Sequence, residues 1–352
     1  MSTPIRSPIA VLKPLWTKLS DGRWGIHAAK SLELSSNSTA DQKYFLLDGD
    51  VQLMSTSPSK NIHEVLASFG SASFLMKQSI VPVVSWKAGD KHIKCVGTAT
   101  IVSCTGYVLT AAHVLMDPVE SGHGGRRDGR SLKHDEDLEF GVLIPTSPAY
   151  GASGFRFFPF EKFWLWGRWK DSPLLHEPSS LAYTTDIAIC KIPEMPNGAA
   201  HQPFSLSINP FVVDESAYAI GYAEMDDIPI KFEAGQMSVG RFEWNLYVSI
   251  GSIMTVFHNN HVENAVPTPG PCFDFNARIP GKMSGAPVFG AQGAIIRGVV
   301  SRSFSGEEHA YGAMLGPAMD LPLDEPGISG RTLRTLIRSG NEGFAQVFGH
   351  GL

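Results

Sequence analysis

Gly106-Tyr-Val-Leu-Thr-Ala-Ala-His113-Val-Leu reads as a short strand ending in a turn of small residues that carries a histidine. Tyr107 to Thr110 has the β-branched and aromatic character of a pleated, buried strand. Downstream lies Thr185-Asp186-Ile-Ala-Ile-Cys-Lys-Ile192, an apolar run with a carboxylate at its mouth. Further on comes Pro280-Gly-Lys-Met-Ser284-Gly-Ala-Pro-Val, a turn that presents a serine. These strings sit among many short β-rich runs, so they point to an all-β body with loops that carry chemistry.

A serine hydroxyl is a weak nucleophile at neutral pH. It needs a base to accept its proton and a carboxylate to fix the base in one tautomer. His113 suits the base, because its reference pKa lies near neutrality. Asp186 suits the orienter, because a carboxylate at the mouth of a buried strand needs a partner. Ser284 is the candidate nucleophile. The chain order His, Asp, Ser differs from the orders of two other serine-hydrolase architectures. There is no G-x-S-x-G elbow at Ser284, which argues against an esterase-like hydrolase. Gly281-Lys282 lacks the flanking residues of a phosphate loop, and no H-E-x-x-H or G-x-G-x-x-G occurs in useful context.

Composition narrows the classes. The chain has 352 residues and 43% hydrophobic content, enough for a sizeable core. Lys and Arg number 29 against 34 Asp and Glu, a formal charge of −5. That balance argues against bulk affinity for nucleic acid or anionic membrane. No run of 18 apolar residues predicts a membrane span, and Met1 to Trp16 lacks an apolar signal region. Cys95, Cys104, Cys190 and Cys272 show no metal-type spacing. They read as buried thiols in a reducing compartment, so a cytoplasmic location is expected.

The pattern divides the chain into three. Residues 1–75 read as an N-terminal extension, partly helical. Ser57 caps a helix there, Pro58 opens it, Ile62, Val65, Leu66 and Phe69 share a face, and Gly70 stops it. Residues 76–205 form a first β-rich unit with His113 and Asp186. Residues 206–352 form a second, with Ser284 and a C-terminal helix over Ser329 to Arg338. Glu120 to Arg130, with Arg126, Arg127 and Arg130, reads as a solvated loop. The aromatic stretch Phe155 to Trp169 reads as core or sheet packing, with an exposed partner surface as the alternative.

The strings resemble the motifs of trypsin-like, chymotrypsin-fold serine peptidases of the kind lacking disulfides. Thr110-Ala-Ala-His113 resembles the family's histidine motif, Asp186-Ile-Ala-Ile its aspartate motif, and Ser284-Gly-Ala-Pro its serine motif. The resemblance spans roughly residues 79–320. Val114 stands where such enzymes commonly carry a cysteine. The resemblance implies two antiparallel six-stranded β-barrels with the site in the cleft between them. It implies a serine endopeptidase acting on a polypeptide substrate, with no cofactor. His113, Asp186 and Ser284 would be its catalytic residues. The oxyanion hole would use the N–H groups of Lys282 and Ser284.

Several positions depart from the family pattern. Position 282 is usually glycine, because the backbone angle there suits glycine better than lysine. Either the peptide adopts a compatible angle, or the hole forms only with substrate or a partner; a shifted alignment would use Gly281. Met283 stands where secreted relatives carry an aspartate that captures a cut N-terminus, so activation by N-terminal cleavage is not expected. For the specificity pocket the resemblance implies Arg278 at the base, with Ser301, Arg302, Ser303 and Gly312 among the walls. A guanidinium there would favour acidic side chains; an Arg278 that points to solvent or is already paired with an internal carboxylate would leave a pocket for small apolar ones beside Gly312 and Ala313. Two rival functions remain open at this level. One is a catalytically impaired binding module. The other is a dormant peptidase switched on by a regulatory protein partner.

Overall fold

The computed structural model describes residues 15–18, 24–26, 46–55, 65, 67, 69, 78–87, 90–116, 125–128, 131–134, 138–145, 154–170, 180–192, 203–233, 236–240, 242–258, 266–291, 293–304, 308–323, 330–339 and 345–349. Strands dominate them, arranged as two barrel-like sheets.

In the first sheet, strand Ile80–Lys87 lies between His92–Ile101 and Leu138–Pro145. His92–Ile101 continues to Tyr107–Thr110, which pairs with Ser180–Lys191. Ser180–Lys191 then pairs with Lys162–Lys170, and Leu138–Pro145 with Gly154–Pro159. Phe160 and Glu161 join those last two runs into one bent strand. The Phe160 N–H bonds to the Phe140 carbonyl (2.9 Å) and the Glu161 N–H to that of Lys191 (2.7 Å). The bend thereby closes the barrel. Its core holds Val83, Ala99, Ile101, Val108, Leu165, Ala188 and Cys190, each buried.

The second barrel closes on itself through antiparallel pairs only. Its cyclic order is Ser216–Ala223, Phe242–Phe257, Cys272–Phe275, Ala310–Met314, Ile295–Ser303 and Pro287–Gly290, which returns to Ser216–Ala223. Phe273 and Phe275 fill its interior with Ala217, Ile253, Met283 and Val288. Full closure removes exposed sheet edges. The strand boundaries expected from the β-rich runs hold to within a residue or two at most strands. The separate runs expected at 236–244 and 246–257 are instead Gln236–Val239 and one long strand, Phe242–Phe257.

The segment read from the sequence as an extension contributes strands Leu15–Lys18, Trp24–Ile26 and Leu46–Ser55. The last runs parallel to the long strand, from Gly49 beside Phe242 to Ser55 beside Val248. Its start pairs with Gly154 to Arg156, so one strand touches both sheets. Val65 and Phe69 are helical and buried, as one helix face requires, and the Phe69 and Phe289 rings meet edge-on at 4.8 Å. The cap and stop expected at Ser57, Pro58 and Gly70 lie outside the described residues.

Two expectations are revised. The arginine-rich stretch read as a loop contains a hairpin, Gly125–Asp128 with Ser131–His134. Asp128 lies opposite Ser131 across it. The C-terminal helix is Leu333–Arg338, later than Ser329. Thr332 caps it and exchanges bonds with Thr335, while Gly330 takes a φ of +78°. Leu333, Leu336 and Ile337 form its buried face. Phe155, Phe157, Phe158, Phe160, Phe163 and Trp164 are buried, so these residues are core, and half-buried Trp166 packs against it. Among the described residues no helix is long and apolar enough to cross a membrane.

Candidate active site

Strand Tyr107–Thr110 delivers His113 by ending. Its buried side chains anchor it, and Ala111 and Ala112 allow the tight start of the helical turn Ala112–Met116. Strand Ser180–Lys191 pairs with it so that Ala188 lies opposite Thr110. That register brings Asp186 beside the turn. The His113 N–H donates to Asp186 Oδ1 at 2.9 Å, and Nδ1 meets Oδ2 at 2.8 Å. The carboxylate acceptor fixes the proton on Nδ1 and leaves Nε2 as the basic nitrogen.

His113 and Asp186 are 3% and 2% exposed, so water cannot screen the pair. An unpaired carboxylate at that depth would be strongly unfavourable. The Ser301 hydroxyl also donates to Asp186 Oδ2, and Thr268 Oγ1 meets Ser301 Oγ at 3.0 Å. Burial by itself pushes the Asp186 pKa up. The His113 ring and the hydrogen bonds from His113 and Ser301 outweigh it and hold the carboxyl below its ordinary value. Sequence reasoning put Ser301 in a pocket wall and missed this role. Its signal is spatial: the second barrel supplies the partner of a first-barrel carboxylate.

Ser284 reaches the same place through Thr98. The Thr98 N–H donates to the Ser284 carbonyl at 2.9 Å, and Thr110 Oγ1 donates to the Thr98 carbonyl at 2.7 Å. Thr98 thus ties the histidine strand to the serine turn. Its hydroxyl accepts from the Tyr222 N–H at 3.0 Å and faces the Tyr222 and Lys282 carbonyls at 3.2 and 3.4 Å. Gly97 faces both neighbours. A Cβ there would lie 3.0 Å from the Ser284 carbonyl oxygen and 3.0 Å from Val114, the residue after His113. Gly285 has a φ of +85°, and a Cβ on it would lie 2.2 Å from the Thr98 carbonyl oxygen and 2.8 Å from the Ala111 nitrogen. Only glycine fits between the serine and the histidine turn.

The Ser284 side chain is half-buried, and its hydroxyl points to the Ser301 carbonyl oxygen at 3.4 Å. It must leave that oxygen to reach the imidazole. Met283 is fully buried, with its sulfur 3.9 Å from Ser249 Oγ. It plugs the interior of the second barrel.

Lys282 adopts a φ of +72°. A left-handed angle on a non-glycine residue costs about 1–2 kcal/mol. Its ammonium reaches the Met225 carbonyl and lies 3.7 Å from Asp227 Oδ1. Among the described residues, neither the Lys282 nor the Ser284 N–H has a protein acceptor.

The candidate pocket residues do not converge in the same way. Arg278 is exposed, so no buried guanidinium lies there to select acidic side chains. Arg302 and Ser303 are half-buried at the end of strand Ile295–Ser303. Gly312 turns inward: a Cβ on it would lie 2.3 Å from the Phe273 ring, so it serves core packing. None of the four cysteines is in a disulfide. Among the described residues no three His, Cys, Asp or Glu side chains gather as a metal site needs.

A search of curated proteins found no match. Among solved structures the chain is similar to Deg5, at 14% identity over 73% of this chain and 91% of that one, TM-score 0.40. It is similar to the serine endoprotease from Yersinia pestis, at 16% identity over 81% and 69%, TM-score 0.39. It is also similar to the active form of the Rv3671c protease from M. tuberculosis, at 15% identity over 76% and 85%, TM-score 0.40. Residues 97–296, more than half of the chain, match the trypsin-like peptidase domain. That match takes in the His113, Asp186 and Ser284 strings together, and the chain belongs to the trypsin-like peptidase domain family.

Proposed function

We propose that the protein is a serine endopeptidase that works through an acyl-enzyme on Ser284. The observation that carries the proposal is the buried pair of His113 and Asp186, held across the barrel interface by Ser301 and set beside Ser284 by Thr98. His113 Nε2 takes the Ser284 proton as the hydroxyl attacks a peptide carbonyl. Asp186 keeps Nδ1 protonated and stabilises the imidazolium. The N–H groups of Lys282 and Ser284 receive the developing oxyanion. The imidazolium then protonates the leaving amine, the C–N bond breaks, and water activated by the same imidazole releases the acyl group.

A second reading has one observation in its favour. The Ser284 hydroxyl rests on the Ser301 carbonyl. A peptidase that waits for a partner to turn the serine onto its base has this arrangement at rest.

The test is proteolysis of an unfolded polypeptide mixture by wild type and Ser284→Ala side by side, with new termini identified by mass spectrometry. Internal cleavages confined to wild type support the proposal. Equal cleavage by both proteins overturns it. Cleavage that appears only after a cell extract is added favours the second reading.

A further inference from the structure

Lysine at position 282 is unexpected on conformational grounds, because its φ of +72° belongs to the region that favours glycine. Something must hold it there. The loop between strands Ser216–Ala223 and Ile228–Glu233 does so from the second barrel. The Glu224 N–H donates to the Gly281 carbonyl at 3.1 Å, and Glu224 itself takes a φ of +50°. The Lys282 ammonium then reaches back to the Met225 carbonyl and the Asp227 carboxylate.

The same loop is fastened to the first barrel. Asp227 Oδ1 accepts from the Cys95 N–H at 3.4 Å, and the Cys95 thiol donates to the Asp226 carbonyl at 3.4 Å. Ile228 pairs with Ile93 on that strand. Cys95 and Thr98 share the strand, and Thr98 holds the carbonyl of Ser284. The turn over residues 281–284 is therefore gripped from both sides by a loop and a strand that are tied to each other.

We propose that Lys282 is a positioning residue: its ammonium, tied to the 224–227 loop, holds its own peptide in the angle that presents the oxyanion donors. The inference rests on the peptidase reading above. It assigns the side chain a task separate from the N–H of the same residue. A lysine at this position without the tie relaxes toward right-handed angles and turns its N–H away from the substrate carbonyl.

The test uses the full chain and a chromogenic peptide ester or amide that wild type cleaves. Lys282→Met keeps the stem and removes the ammonium. Its kcat should fall about ten- to hundredfold with KM nearly unchanged, because the N–H donors that the tie positions act only as charge develops. Lys282→Arg should restore most of the loss by reaching the same carbonyl. Lys282→Gly should also recover most of it relative to Lys282→Met, because glycine takes the angle without a tie. Circular dichroism and melting temperature confirm that each variant is folded. A Lys282→Met protein with wild-type kcat, or with a change in KM alone, overturns the proposal. So does a Lys282→Gly protein as slow as Lys282→Met. If wild type cleaves nothing and its Ser284 is never acylated, the peptidase reading fails first and this inference falls with it.

Discussion

The hydroxyl of Ser301 donates to Asp186 Oδ2, the oxygen that also accepts from Nδ1 of His113. A second-barrel residue therefore completes the polar shell of a first-barrel carboxylate. The carbonyl of Ser301 meanwhile receives the Ser284 hydroxyl. One residue touches two of the three candidate catalytic groups. Ser301→Ala should lower kcat about tenfold, or about 1.4 kcal/mol in the barrier, and move the melting temperature by only a few degrees. Steady-state kinetics beside calorimetry checks this. A variant with unchanged kcat would make Ser301 a packing residue only.

Acid stability follows from the depressed pKa of Asp186. A carboxyl whose folded pKa lies below its unfolded value of about 3.9 contributes stability that is present above that value. The contribution is lost as pH falls through the folded pKa. Wild type should therefore exceed Asp186→Asn in stability at pH 5, where the carboxyl is ionised. The margin should shrink below about pH 4. Urea denaturation of both proteins across this range measures it. A margin unchanged at pH 3 contradicts the assignment.

Gly285 separates the serine turn from the histidine turn. Alanine there would meet the Thr98 carbonyl oxygen at 2.2 Å and Thr110 Oγ1 at 2.3 Å, at a φ of +85°. Conformational strain and overpacking together should destabilise Gly285→Ala by on the order of 3–5 kcal/mol. Denaturant midpoints with an unchanged slope give the number. A loss below about 1 kcal/mol would mean that the two turns move apart freely.

Burial pushes the Cys190 thiol well up from its ordinary pKa, and burial with the nearby Asp274 raises Cys272 to about 12. Cys95 is raised as well, by burial first, against an opposing pull from Lys282. The thiolate is the reactive form. Iodoacetamide at pH 8 should therefore label native protein slowly, with half-buried Cys104 ahead of the other three. Reductant should leave the melting temperature unchanged. A fall of many degrees would reveal a structural disulfide.

The fold was legible where the chain speaks locally. Apolar, β-branched runs placed Ile80–Lys87, Tyr107–Thr110 and Ile295–Ser303, because strands buried on both faces need such residues at successive positions. His113, Asp186 and Ser284 were legible because each sits in a short string with its own strand or turn. Thr98 was not. Its bonds reach Tyr222, Lys282 and Ser284, more than a hundred residues away, and an interior threonine in a strand carries no local mark. The same holds for Leu46–Ser55, whose partners are fixed by the assembled sheets. Lys282 was noticed as out of pattern, yet its angle and its anchor at Met225 follow only from the three-dimensional path of the 224–227 loop. Alignment offered Arg278 as a pocket base with a solvent-facing side chain as the alternative, and Arg278 is exposed.

Acylation of Ser284 decides whether this serine is the nucleophile. The measurement is mass-spectrometric mapping of the adduct formed by a fluorophosphonate, which reacts only with an activated serine. A single adduct is expected, on the peptide that contains Ser284. It should be absent from folded Ser284→Ala and reduced by orders of magnitude in His113→Ala. An adduct that persists on another serine in Ser284→Ala would contradict the account, as would peptide hydrolysis by wild type with Ser284 left unmodified.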